Sequence, residues 1–94
     1  MTQSTVLAAG VTAATSTDIV IAAGATVIVG IFSAVADAVP SGLAFGIDQD
    51  TPGADNTIGY LGSDKRQVVL TGPGTFRVKR PAYTGTAFGV FVEN

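Results

Sequence analysis

Apolar and polar positions alternate with a period of two in several short stretches, and each stretch is closed by glycine, proline or small polar residues. The pattern is clearest near the C-terminus. There Phe76, Val78 and Arg80 fall on one face, and Thr75, Arg77 and Lys79 fall on the other. Phe76 and Val78 are predicted to point inward, with Arg80 at the rim and Arg77 and Lys79 outward. Turn residues recur at Gly10, Ala23-Gly24, Pro40-Ser41-Gly42, Thr51-Pro52-Gly53, Gly62-Ser63-Asp64, Gly72-Pro73-Gly74, Pro81 and Gly85. Between them the spacing predicts strands near 4–8, 17–22, 26–33, 43–48, 57–61, 66–71, 75–80 and 86–92. The Gly72-Pro73-Gly74 segment reads as a hairpin turn. The predicted fold is all-β, a small antiparallel sandwich or barrel of about seven or eight strands forming a single domain over residues 1–94.

Two strands depart from simple alternation. Over residues 27–32, Val27, Val29 and Ile31 oppose Ile28, Gly30 and Phe32; over 87–92, Phe88, Val90 and Val92 oppose Ala87, Gly89 and Phe91. A strand apolar on both sides is buried on both sides, yet each sheet of a small sandwich turns only one face to its own core. The second face is therefore expected to be covered by another subunit, and Ile28, Phe32 and Phe91 are the candidate interface residues.

Three segments admit a second reading. Residues 31–40 form either a short Ala-rich helical turn or a strand end running into a loop, and Pro40 ends them in either case. The Thr-, Ser- and Ala-rich opening, residues 1–16, includes a predicted strand but also suits an extended arm that orders on contact. Eighteen consecutive uncharged residues, Ile19 to Ala36, reach the length of a membrane-spanning helix. Gly24, Gly30, a high β-branched content and flanking Asp18 and Asp37 without Lys or Arg favour two buried strands joined at Ala23-Gly24-Ala25.

Composition narrows the chemistry. Ninety-four residues without cysteine have neither disulfide nor thiolate metal site to support a core of modest size. Charged residues make up 13%, about half the usual share, while 47% are apolar, a poorly solvated surface for a free monomer. All five cations, Lys65, Arg66, Arg77, Lys79 and Arg80, follow position 64, whereas residues 1–64 carry six aspartates and no cationic side chain. This segregation is either an ordinary solvated surface or a device by which one end of a copy attracts the other end of its neighbour. In the second case Arg77 and Lys79 join the interface and meet acidic loops such as Asp48 to Asp55.

Catalytic inventory is thin. Without His or Cys the commonest general base, the thiolate nucleophile and the usual transition-metal ligands are missing, and the only glutamate is Glu93 at the C-terminus. Asp48, Asp50, Asp55 and Asn56 offer oxygen ligands of the kind calcium takes, but the EF-hand glycine and terminal glutamate are lacking, so a solvated turn is expected. No catalytic, cofactor or metal residue is assigned, and an enzyme is not expected. The glycines precede no helix that could hold a phosphate. An acidic balance, with only Tyr60 and Tyr83 left as stacking platforms, argues against nucleic acid. A carbohydrate- or receptor-binding sandwich is the competing class, and an exposed aromatic platform would mark it.

The stretch Val68-Val69-Leu70-Thr71-Gly72-Pro73-Gly74-Thr75-Phe76-Arg77-Val78-Lys79-Arg80-Pro81, closing on Gly89-Val90-Phe91-Val92-Glu93, resembles small β-rich virion proteins encoded among the head genes of tailed bacteriophages. The resemblance covers about the last 27 residues. It implies a non-enzymatic decoration or cement protein on the surface of the phage particle. Its partners would be further copies of itself, often as a trimer, and the major capsid protein, with neither membrane nor nucleic acid involved. Tail, neck and fibre-base components are written in the same style.

Overall fold

The computed structural model describes residues 2–36 and 38–94. The fold is all-β, with no helix among these residues and nine strands in two antiparallel sheets. Four strands form sheet A in the order β1 (Gln3–Gly10), β9 (Phe88–Glu93), β4 (Thr26–Phe32), β7 (Gln67–Thr71). Sheet B runs from β2 (Ala14–Thr15) through β8 (Gly74–Arg80) and β5 (Ala44–Gln49) to β6 (Asn56–Gly62). A further strand, β3 (Ile19–Ile21), also pairs with β8, so β2 and β3 together make one interrupted edge strand.

The chain changes sheet at nearly every connection, which is how a sandwich core is assembled from both sheets at once. Only β5 and β6 are consecutive and paired. At Ala22–Ala25 the Ala25 N–H donates to the Ala22 carbonyl (3.1 Å) while Gly24 takes φ of 79°, a left-handed conformation that an L side chain rarely adopts. This turn carries the chain from β3 in sheet B to β4 in sheet A, so the apolar run is two strands, not one span.

The Gly72-Pro73 segment, expected as a hairpin turn, is a corner between sheets: β7 pairs with β4, and β8 pairs with β2, β3 and β5. The reason is local crowding. Gly72 donates its N–H to the Ala25 carbonyl (3.0 Å), and a Cβ on it would run into the Ala22 and Ile21 carbonyls. The corner is therefore pressed against the β3–β4 turn, and β8 leaves it beside β3. The helical alternative for residues 31–40 is not taken by the described residues there, and Asp37 lies outside the described residues. The opening segment carries β1, paired along β9, and β2, paired with β8.

The core draws on both inner faces: Val29, Ile31, Leu70, Phe88 and Val90 from sheet A, and Ile19, Ile21, Phe45, Ile47, Leu61, Phe76 and Val78 from sheet B, with Val39 from the β4–β5 connection. Phe76 and Val78 point inward as the alternation predicts. Each such side chain, once buried, contributes about 1.5–3 kcal/mol.

Arg80, expected at the rim, is instead buried at 6% exposure. It shares the inner face with Phe76 and Val78 and closes one end of the sandwich. Its guanidinium donates to the carbonyls of Thr12 (2.8 Å), Ala8 (2.8 Å) and Phe88 (2.9 Å), tying β8 of sheet B to β1 and β9 of sheet A. The Tyr83 hydroxyl works beside it. It accepts the Phe88 N–H and lies 2.9 Å from the Gly10 and Thr86 carbonyls, either of which takes its proton.

Candidate functional site

Strand alternation fixes what each sheet shows to the outside. On sheet A the residues facing away from the core are Thr26, Ile28, Gly30 and Phe32 on β4, Gly89, Phe91 and Glu93 on β9, Gln67, Val69 and Thr71 on β7, and Gln3 and Thr5 on β1. Gly30 lies opposite Phe91, and Phe32 lies opposite Gly89. A Cβ on Gly30 would meet the Phe91 ring at 2.6 Å, and one on Gly89 would meet the Phe32 ring at 2.8 Å. Each ring thus lies across the glycine of the neighbouring strand. The two rings meet edge to face, centroids 6.4 Å apart.

Phe32, Phe91 and Ile28 remain half-buried, and Val69 is 64% exposed. A groove of about 480 Å³ opens between the two rings and Gln3, Ser4 and Thr5 of β1. Polar side chains flank this apolar centre: Gln67 and Thr71 on β7, Thr26 at the start of β4, and Gln3, Thr5 and Glu93 across β1 and β9. Gln3 donates to Glu93 (3.2 Å) at its margin. The interface candidates Ile28, Phe32 and Phe91 are thus brought together on one outer sheet face.

Arg77 and Lys79 stand elsewhere, on the outer face of sheet B, and the acidic residues that meet them belong to the same chain. Arg77 Nε pairs with Asp18 (2.7 Å), and its Nη1 pairs with Asp55 (2.9 Å) and approaches Asp50 (3.7 Å). Lys79 Nζ pairs with Asp48 (2.9 Å), which also accepts the Thr57 hydroxyl (2.8 Å). For Arg77 and Lys79, the segregation of acids and bases along the sequence is therefore resolved by folding within one copy. Strand β8 lies between β3 and β5, so its cations meet Asp18 on one side and the aspartates of β5 and the loop after it on the other.

These contacts leave their mark on titration. The hydrogen bond from Lys79 holds the Asp48 carboxyl below its ordinary value against the opposing effect of burial, with Thr57 adding to the lowering. The same bond raises Lys79, and the Asp18 hydrogen bond raises Arg77. Among the described residues no group of three or more carboxylates is disposed to hold a metal ion, and no buried side-chain polar atom lacks a partner. Asp50 and Asp55 flank an exposed turn, as expected, and with the buried Asp48 they also surround two cations.

What sequence reasoning missed is how the aromatics and glycines interlock. The signal was present as Gly30 and Gly89 placed two residues from Phe32 and Phe91 in their own strands, but only the register between β4 and β9 sets ring over glycine. Of the two tyrosines, Tyr83 is engaged internally, and Tyr60 is 60% exposed beside a second groove of about 250 Å³ formed with Leu43, Asp64 and Lys65. A carbohydrate platform would rest on that one ring. Compared with protein-family models, with curated proteins and with solved structures, the chain has no significant match.

Proposed function

We propose that this chain is a non-enzymatic structural protein that docks through the outer face of sheet A onto a larger assembly. In the setting implied by the resemblance of residues 68–81 and 89–93, that assembly is the head of a tailed bacteriophage, and the chain is a decoration protein bound to its major capsid protein. The observation that carries the reading is the apolar outer face itself: Ile28, Phe32, Phe91 and Val69 form a contiguous surface on a sheet whose other side already fills the core. A face of this composition gains free energy when an apolar partner covers it. The lack of His and Cys and the internal pairing of Arg77 and Lys79 leave little for catalysis or for phosphate binding.

Binding to heads of the parent phage stripped of this protein tests the proposal. Wild type is expected to saturate the heads, and the variant carrying Phe32→Gln and Phe91→Gln is expected to lose binding by more than about a hundredfold while still folding, as two central apolar anchors are removed. Equal occupancy by the two proteins would overturn the docking face. Failure of the wild type to bind heads, with strong binding to tails, would move the site of action to the tail.

A further inference from the structure

We infer that β7 is a self-pairing edge, through which two copies of the chain join sheet A to sheet A about a two-fold axis centred on Val69. The inference rests on the backbone of β7 and stands apart from docking on a phage head. The sandwich has four sheet edges, and three are interrupted. Strand β1 shifts register between Thr5 and Leu7 and again between Leu7 and Gly10, and its Val6 and Ala8 carbonyls are occupied by the Thr17 N–H and by Arg80. The opposite edge of sheet B is broken between Thr15 and Ile19. Strand β6 shifts register against β5 between Ile47 and Asp48, with Ile58 as its extra residue. Bulges and breaks of this kind are how proteins keep strand edges from pairing.

Strand β7 has no such protection. Its register with β4 runs unbroken from Thr26 opposite Thr71 to Gly30 opposite Gln67, and Gln67-Val68-Val69-Leu70-Thr71 contains neither charge nor proline. At its two ends the Ile31 N–H donates to the Arg66 carbonyl (2.9 Å) and the Gly72 N–H to the Ala25 carbonyl (3.0 Å). In an antiparallel ladder alternate residues face the partner strand, so 66, 68, 70 and 72 bond toward β4. The N–H and C=O groups of Gln67, Val69 and Thr71 then face outward. No backbone hydrogen bond from elsewhere in the chain reaches them among the described residues.

The order of residues selects the occupant. Read in either direction from Val69, β7 gives apolar, then polar: Val68 and Gln67 one way, Leu70 and Thr71 the other. An antiparallel second copy centred on Val69 sets Val69 against Val69, Val68 against Leu70 and Gln67 against Thr71. The same register brings the outward groups of 67, 69 and 71 face to face, whereas a shift by one residue would not. Like meets like on both faces, as an isologous two-fold contact requires. Val69, 64% exposed, becomes covered, and the two four-stranded sheets become one continuous sheet. The cationic Arg66 of each copy falls opposite Gly72 of the other, so the two like charges lie about 20 Å apart along the ribbon.

Because position 69 faces itself, its charge can be made self-repelling and then complementary. Sedimentation over a concentration series extending to high micromolar should show wild type in a monomer–dimer equilibrium. Val69→Lys and Val69→Asp should each raise the dimer dissociation constant by more than about tenfold. An equimolar mixture of the two should recover a dimer whose native mass is that of one copy of each. Val20→Lys, at a valine on β3 that is more exposed than Val69, should leave the constant unchanged. On wild type alone, hydrogen exchange at the 67, 69 and 71 amides should slow as concentration rises. A wild type that stays monomeric, concentration-independent exchange at those amides, or folded Val69 variants that dimerise like wild type would each overturn the inference.

Discussion

Arg80 shows what a single residue does when its side chain reaches across the sandwich. Among the described residues no carboxylate meets its buried charge, and three backbone carbonyls from β1, the β1–β2 connection and β9 take its protons. Replacing it by methionine keeps the length and the apolar stem but leaves those carbonyls without a donor. Arg80→Met is expected to lower stability by at least about 2 kcal/mol, read as a shift of the urea midpoint, since buried unpaired polar groups cost about 1–3 kcal/mol each. A loss under about 0.5 kcal/mol would mean that water substitutes freely at that end. The face of Arg80 was legible from the alternation with Phe76 and Val78. Its depth was not, because two of its acceptors lie 68 and 72 residues away in the chain.

At the scale of elements, strands were legible wherever turn residues bracket β-branched runs, and residues 26–33 and 75–80 fall close to the observed β4 and β8. Pairing was less so. The Gly72-Pro73-Gly74 segment has the composition of a hairpin, and only the packing of Gly72 on the β3–β4 turn sends β8 to the other sheet. The union of β5 and β8 was equally hidden, and with it the internal pairing of Asp48 and Lys79. That pair gives the fold a pH signature. Asp48 is lowered in the folded chain, so its stabilisation is present above about pH 4, the unfolded carboxylate value, and is lost as pH falls through the folded value. Lys79 is raised, so its share is present below about pH 10.4, the unfolded value, and is lost as pH rises through the folded one. Asp48→Asn should melt at a lower temperature than wild type between these limits, and the difference should shrink on acidification below about pH 4. A difference that stays constant from neutral pH into acid would show that the pair contributes nothing through its charge.

For the molecule as a whole, the two faces of the sandwich divide the work. Sheet B turns outward Arg77 and Lys79, neutralised by Asp18, Asp48, Asp50 and Asp55 of the same chain, together with the exposed side chains of Val20 on β3 and Tyr60 on β6. Sheet A turns outward Ile28, Phe32, Phe91 and Val69. The doubly apolar pattern of residues 27–32 and 87–92 made this face legible in the sequence, while Arg77 and Lys79 entered the same expected interface on charge alone, which cannot tell a neighbour in the fold from a neighbour in an assembly. The central claim is that the outer face of sheet A is covered in use. Covalent footprinting of the phenylalanine side chains, on the free chain and on the chain bound to phage heads, tests it most directly. Labelling of Phe32 and Phe91 should fall several-fold on binding while that of the buried Phe45 and Phe88 stays low in both states. Undiminished labelling of Phe32 and Phe91 on a chain shown to be head-bound would contradict the account.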